Sequence, residues 1–132
     1  MTYLLDTHTL IWALTDFEKL PANVQRILRN KSNEIVVSTL SFWEMSIKRS
    51  IHKLDLDGAN PEDFAIATVK ADFRILPLST ELCSSFYKLS AAHHKDPFDR
   101  MLIWQALHQK CALITIDRNI RKYASEGLQV VW

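Results

Sequence analysis

Glycine is nearly absent from this sequence: 2 residues in 132, alongside 4 prolines and 2 cysteines. So little glycine and proline excludes a flexible linker, so the elements must follow one another closely and form a single domain over 1–132. Neither a glycine-rich phosphate loop nor a G-x-S-x-G elbow exists. Cys83 and Cys111 stand among apolar neighbours and read as reduced core thiols, which suits a cytoplasmic protein. His8, His52, His93, His94 and His108 match no H-E-x-x-H or Cys/His spacing, so zinc has no ligand pattern. No apolar stretch approaches the roughly 20 residues a membrane helix needs. The chain starts in a strand-like run, without a basic region, apolar signal core or cleavage site. An excess of one charge is missing too. The formal net charge is +1, and composition alone does not announce a nucleic-acid binder.

What is present is an ordinary globular composition, 48% hydrophobic and 23% charged, with a regular alternation of two patterns. Short apolar runs fall at 3–5, 35–37, 75–76, 112–116 and 130–132. Their apolarity is continuous, as in strands buried on both faces of a parallel sheet. Helical spacing occupies 8–14, 21–28, 41–51, 61–71, 80–92, 97–110 and 118–124. Alternating strands and helices predict a three-layer α/β/α sandwich.

Four acids stand out by position. Asp6 and Asp117 directly follow the first and fourth runs. Glu44 lies one turn into the helix after the second run, and Asp99 one turn into the helix over 97–110. Ligands of open parallel sheets bind at the carboxyl ends of strands, where strand order reverses. Asp99 shares a helical face with Ile103 and Ala106, and Glu44 with Ile47 and Ile51, so both should lean inward. Converging carboxylates must take up protons or bind a cation, since two charges about 4 Å apart repel by roughly 4 kcal/mol at an effective dielectric of 20. A hard divalent ion, Mg²⁺ or Mn²⁺, suits an oxygen ring.

Each acid alone also has a plain structural use. Ser41-Phe42-Trp43-Glu44 matches a capping box. Asp96 reads as an N-cap before Pro97, with Asp99 favoured by the helix dipole. Asp6 and Asp117 read as caps or turn residues. Capping explains each residue; a site explains the set. His108, late in its helix, suits the negative dipole end.

At Leu4-Leu5-Asp6-Thr7-His8, Ser41-Phe42-Trp43-Glu44 and His93-His94-Lys95-Asp96-Pro97-Phe98-Asp99-Arg100, the sequence resembles the PIN-domain nucleases, and most of all the VapC-type toxins of bacterial toxin–antitoxin pairs. Leu113-Ile114-Thr115-Ile116-Asp117 resembles the family's fourth acidic motif. The resemblance implies a five-stranded parallel sheet ordered 3-2-1-4-5, with Asp6 and Asp117 on neighbouring strands. It implies an Mg²⁺- or Mn²⁺-dependent ribonuclease whose catalytic, metal-holding acids are Asp6, Glu44, Asp99 and Asp117, with 5′-phosphate and 3′-hydroxyl products. Thr115 and Asn119 are candidates for supporting the fourth acid.

RNA approaching an acidic pocket needs flanking cations. Lys48, Arg49, Lys95, Arg100, Arg118, Arg121 and Lys122 are near the acids in sequence and are the candidates, weighed against an ordinary solvated face. A toxin-like nuclease implies a cognate antitoxin and self-association as a homodimer, with some of Trp12, Trp43 and the other tryptophans at interfaces. Rival readings are a housekeeping RNA-processing nuclease, a catalytically inactive binding module, and a haloacid-dehalogenase-like phosphatase. The last wants a second Asp where this chain has His8.

Overall fold

The computed structural model describes residues 1–90 and 96–132. Five parallel strands, β1 (Thr2–Leu5), β2 (Glu34–Ser38), β3 (Arg74–Leu76), β4 (Ala112–Ile114) and β5 (Gln129–Val131), form one sheet in the order β3-β2-β1-β4-β5. Leu4 stands between Val36 and Leu113 in the ladder. The order reverses between β1 and β4, as the resemblance implies.

Helices α1 (Thr7–Thr15), α2 (Ala22–Arg29), α3 (Thr39–Ser50), α4 (Pro61–Lys70), α5 (Thr80–Ser85) and α6 (Pro97–Gln109) fill the connections, with 3-10 turns at Phe17–Lys19, Phe86–Lys88 and Ile120–Glu126. Alternate strand residues feed two cores. Leu4, Val36 and Leu113 pack with Leu102, Ile103 and Tyr123 from the second half of the chain. Tyr3, Leu5, Val37 and Ile114 pack with Leu10, Val24, Met45 and Phe64 from the first half. The reversal of strand order at the switch point is why: right-handed crossovers then send the two halves to opposite faces. Among the described residues no helix is long and apolar enough to cross a membrane.

Four expectations need correction. The helix after β2 starts at Thr39, capped by the Ser38 hydroxyl accepting from Leu40 N. Ser41 and Glu44 are therefore interior helical residues, and no capping box forms between them. The helix expected over 80–92 ends at Ser85 and tightens into the 3-10 turn, which lets Leu89 drop into the core; 91 and 92 lie outside the described residues. The fourth strand stops at Ile114, so Asp117 does not directly follow it. Cys111 is buried as expected, but Cys83 is exposed on α5.

Candidate active site

The carboxyl ends of β1 and β4 open onto a cavity of about 230 Å³ whose lining includes Asp6, Glu44, Lys48, Asp96, Asp99 and Asp117. The four predicted acids arrive on four separate segments.

Asp6 is held hardest. Its amide donates to Ile114 O, tying the end of β1 to β4. Its side chain caps α1 by accepting from Thr9 N at 2.7 Å. The plain capping role is thus real, yet it leaves the carboxylate only 6% exposed. Burial pushes the Asp6 carboxyl above its ordinary range, against hydrogen bonds from Thr115 and Thr9 and the nearby His8 charge. A buried carboxylate of this kind wants a cation.

Thr115 is the hinge of the arrangement. Fully buried, it bonds the Asp6 carboxylate, accepts from Asp117 N at 3.1 Å, and anchors its own amide on Val131 O. One hydroxyl therefore sets the relative position of two acids. Asn119 supports Asp117 through its backbone, its amide donating to Asp117 Oδ1 at 2.8 Å in an Asx turn. Thr115→Val should lower turnover about 10- to 100-fold, as loss of partners that orient ligands does. Removing a bond that favours the ionised form should also move the acidic limb of the pH–rate profile upward. A profile unmoved by the substitution would remove this role.

Glu44 is buried, and both of its oxygens are engaged. Thr7, the residue after Asp6, donates its hydroxyl to Oε1 at 2.6 Å and also meets the Ser41 hydroxyl at 3.1 Å. Lys48, one turn along α3, donates to Oε2 at 2.5 Å. Lys48 is itself pulled two ways: burial lowers its pKa, and the Glu44 bond with the charges of Asp96 and Asp99 raises it by more. At the start of α6, Asp96 accepts from Phe98 N and Asp99 N. That confirms the capping role, while Asp96 also lines the cavity. Asp99 follows at the third helical position, half-buried.

Proximity in sequence misplaced several cations. A helix turns about 100° per residue, so Lys48 faces Glu44 while Arg49 points away, bonding Asn60 Oδ1 and Ala59 O. Arg100 likewise leaves the acids, donating to Leu89 O and stacking on Phe86. Arg118, Arg121 and Lys122 are exposed near Asp117. His93, His94 and Lys95 lie outside the described residues. Thr7 and His8 also line the cavity. The hydroxyl-bearing residue beside Asp6 was the available signal for Thr7.

The donors are hard carboxylate oxygens around a desolvated acid, which is the chemistry Mg²⁺ and Mn²⁺ accept. Among the described residues no three His, Cys, Asp or Glu side chains close into a metal cage.

A family model described as the PIN domain matches residues 3–126. Among solved structures the chain is similar to VapBC2 from Rickettsia felis bound to a DNA fragment from their promoter, at 16% identity, covering 99% of this chain and 98% of that one, TM-score 0.66. It is also similar to VapBC-1 from nontypeable Haemophilus influenzae, at 20% identity over 99% and 97% of the two chains, TM-score 0.68. A toxin-antitoxin complex from Klebsiella pneumoniae matches at 20% identity over 98% and 96%, TM-score 0.61. At such identities the likeness speaks for the fold. No curated protein matches the chain in sequence.

Proposed function

We infer what the chain does from one premise: it belongs to the PIN-domain family. Our reading is a metal-dependent endoribonuclease that hydrolyses RNA phosphodiester bonds as the toxin of a toxin–antitoxin pair. The observation that carries it is the convergence of Asp6, Glu44, Asp99 and Asp117 on one cavity at the sheet's switch point. Capping accounts for Asp6 and Asp96 but not for Glu44, which sits inside its helix and still turns into the cavity.

Asp6 and Asp99 would hold one Mg²⁺ or Mn²⁺, with Glu44 and Asp117 acting through water or a second ion. The bound cation supplies a lower pKa for the attacking water and charge neutralisation at phosphorus. The chain's own part is positional. Thr115 and Thr9 fix Asp6, Thr7 fixes Glu44, and the first turn of α6 presents Asp99. Arg118, Arg121 and Lys122 are the exposed cations suited to the flanking RNA backbone.

The toxin reading draws on the similar structures, one of which is described as a toxin-antitoxin complex. A cognate antitoxin and a second copy of the chain are the protein partners we expect, in the cytoplasm. Trp43, 60% exposed and edge-on to Phe98, belongs to an apolar depression of about 340 Å³ with Leu40, Leu78 and Met101. We assign that surface to self-association, which sedimentation of the purified chain would check.

The test is incubation of purified protein with total RNA, with and without Mg²⁺ or Mn²⁺, followed by end-mapping. We expect metal-dependent cuts leaving 5′-phosphates, and RNA binding that weakens steeply as salt rises. Undiminished cleavage in excess EDTA would overturn the metal reading; a flat salt dependence would remove the cation assignment.

A further inference from the structure

Lys48 is the lysine in a cavity otherwise lined by acids, by apolar and hydroxyl groups and by the His8 imidazole, and among the described lining residues no arginine joins it. Its ammonium sits on Glu44 Oε2, the oxygen that Thr7 leaves open, and within electrostatic reach of Asp96 and Asp99. A side chain with 42% of its surface exposed, on a flexible four-carbon stem, can leave that position without disturbing the fold. Helical pairs four residues apart are weak where they face solvent, as the Lys48 end of this one does. A divalent cation among these carboxylates would repel an ammonium on one of them.

We propose that Lys48 is the resident counter-ion of the acid cavity: it holds Glu44 when no divalent cation is bound and must be displaced from Glu44 when one enters. This rests on the metal-dependent reading above. The arrangement keeps a crowded acid cluster folded without metal and sets its metal affinity lower than the carboxylates alone would give. Once displaced, the ammonium stands at the cavity mouth, where an incoming phosphodiester offers it a new anion. Substrate and metal should then favour each other's binding, because each relieves what the other leaves unpaired.

The experiment is calorimetric titration of the full chain with Mn²⁺, for wild type, Lys48→Gln and Lys48→Arg, with circular dichroism confirming each fold. Lys48→Gln should bind Mn²⁺ about 10-fold more tightly than wild type, a change of about 1.4 kcal/mol, and should melt lower than wild type in EDTA. Lys48→Arg, which keeps the charge, should stay within about 2-fold of wild type on the same scale. Binding by wild type with no tightening in Lys48→Gln would overturn the counter-ion role and leave the nuclease reading standing. Equal tightening in Lys48→Arg would overturn it as well, since charge would not be the cause. No Mn²⁺ binding by any of the three would overturn the metal reading and this inference together.

Discussion

Asp6→Asn should melt at a higher temperature than wild type in metal-free buffer at neutral pH, while losing metal-dependent cleavage by about two to three orders of magnitude, or roughly 2.7–4 kcal/mol of barrier. The first half follows from burial. Asp6 is a carboxyl in a desolvated position, and burial raises its folded pKa above the ordinary value of 3.8. The native state therefore holds the proton more tightly than the unfolded chain does. Stability from this group is greatest below pH 3.8 and is lost as pH rises through the elevated folded pKa. Asparagine keeps an oxygen for Thr9 N, so the cap survives, and the pH-dependent loss disappears.

Wild type should recover that loss on adding Mg²⁺ or Mn²⁺. A ligand at 100 times its Kd stabilises the folded state by about 2.7 kcal/mol, on the order of 8–13 °C for a domain of this size. Asp6→Asn should show little of this shift. Differential scanning fluorimetry across pH, with and without metal, reads both effects. An Asp6→Asn variant that melts lower than wild type at neutral pH without metal would mean that the carboxylate already has its counter-charge in the fold.

Leu113→Ala should be the most damaging single truncation away from the acids, costing about 2–5 kcal/mol and lowering the melting temperature by roughly 6–20 °C. Leu113 is fully buried at the middle of β4, in register with Leu4 and Val130. Its side chain packs among the helices of the second half. The same strand leads into Thr115 and Asp117, so a cavity beneath it should also loosen the site and lower turnover at temperatures where the variant is still folded. Ile66→Ala is the matched control: that side chain is 56% exposed, and its loss should stay within about 0.5 kcal/mol. Chemical denaturation of both variants checks the contrast. Equal destabilisation would mean that β4 is not the keystone its burial indicates.

The strands were legible because both faces of the sheet are covered. Every residue of β4 is buried, so apolarity runs uninterrupted and stands out without alternation. The same signal overran at Ile116, which is apolar and 46% exposed. There the chain leaves the ladder for the Asx turn at Asp117, and residue type alone does not mark where pairing ends. The sequence offered Ser41 as the cap of α3, whereas the fold uses Ser38. Ser41 is buried against Thr7, a partner 34 positions away, and no local pattern reveals such a contact. The strand order was implied by family resemblance rather than by any spacing in the chain.

The sequence by itself determined the layered α/β class and the four acids worth watching, because these follow from local periodicity and residue chemistry. Only the tertiary structure decided how the acids differ. Asp6 is desolvated because α1 and the end of β4 close over it, and Thr115 links it to Asp117. Glu44 is shared between Thr7, 37 residues earlier, and Lys48, one turn later. Charge, burial and hydrogen bonding at a site depend on which distant segments meet there, and that is settled when the sheet reverses its order between β1 and β4.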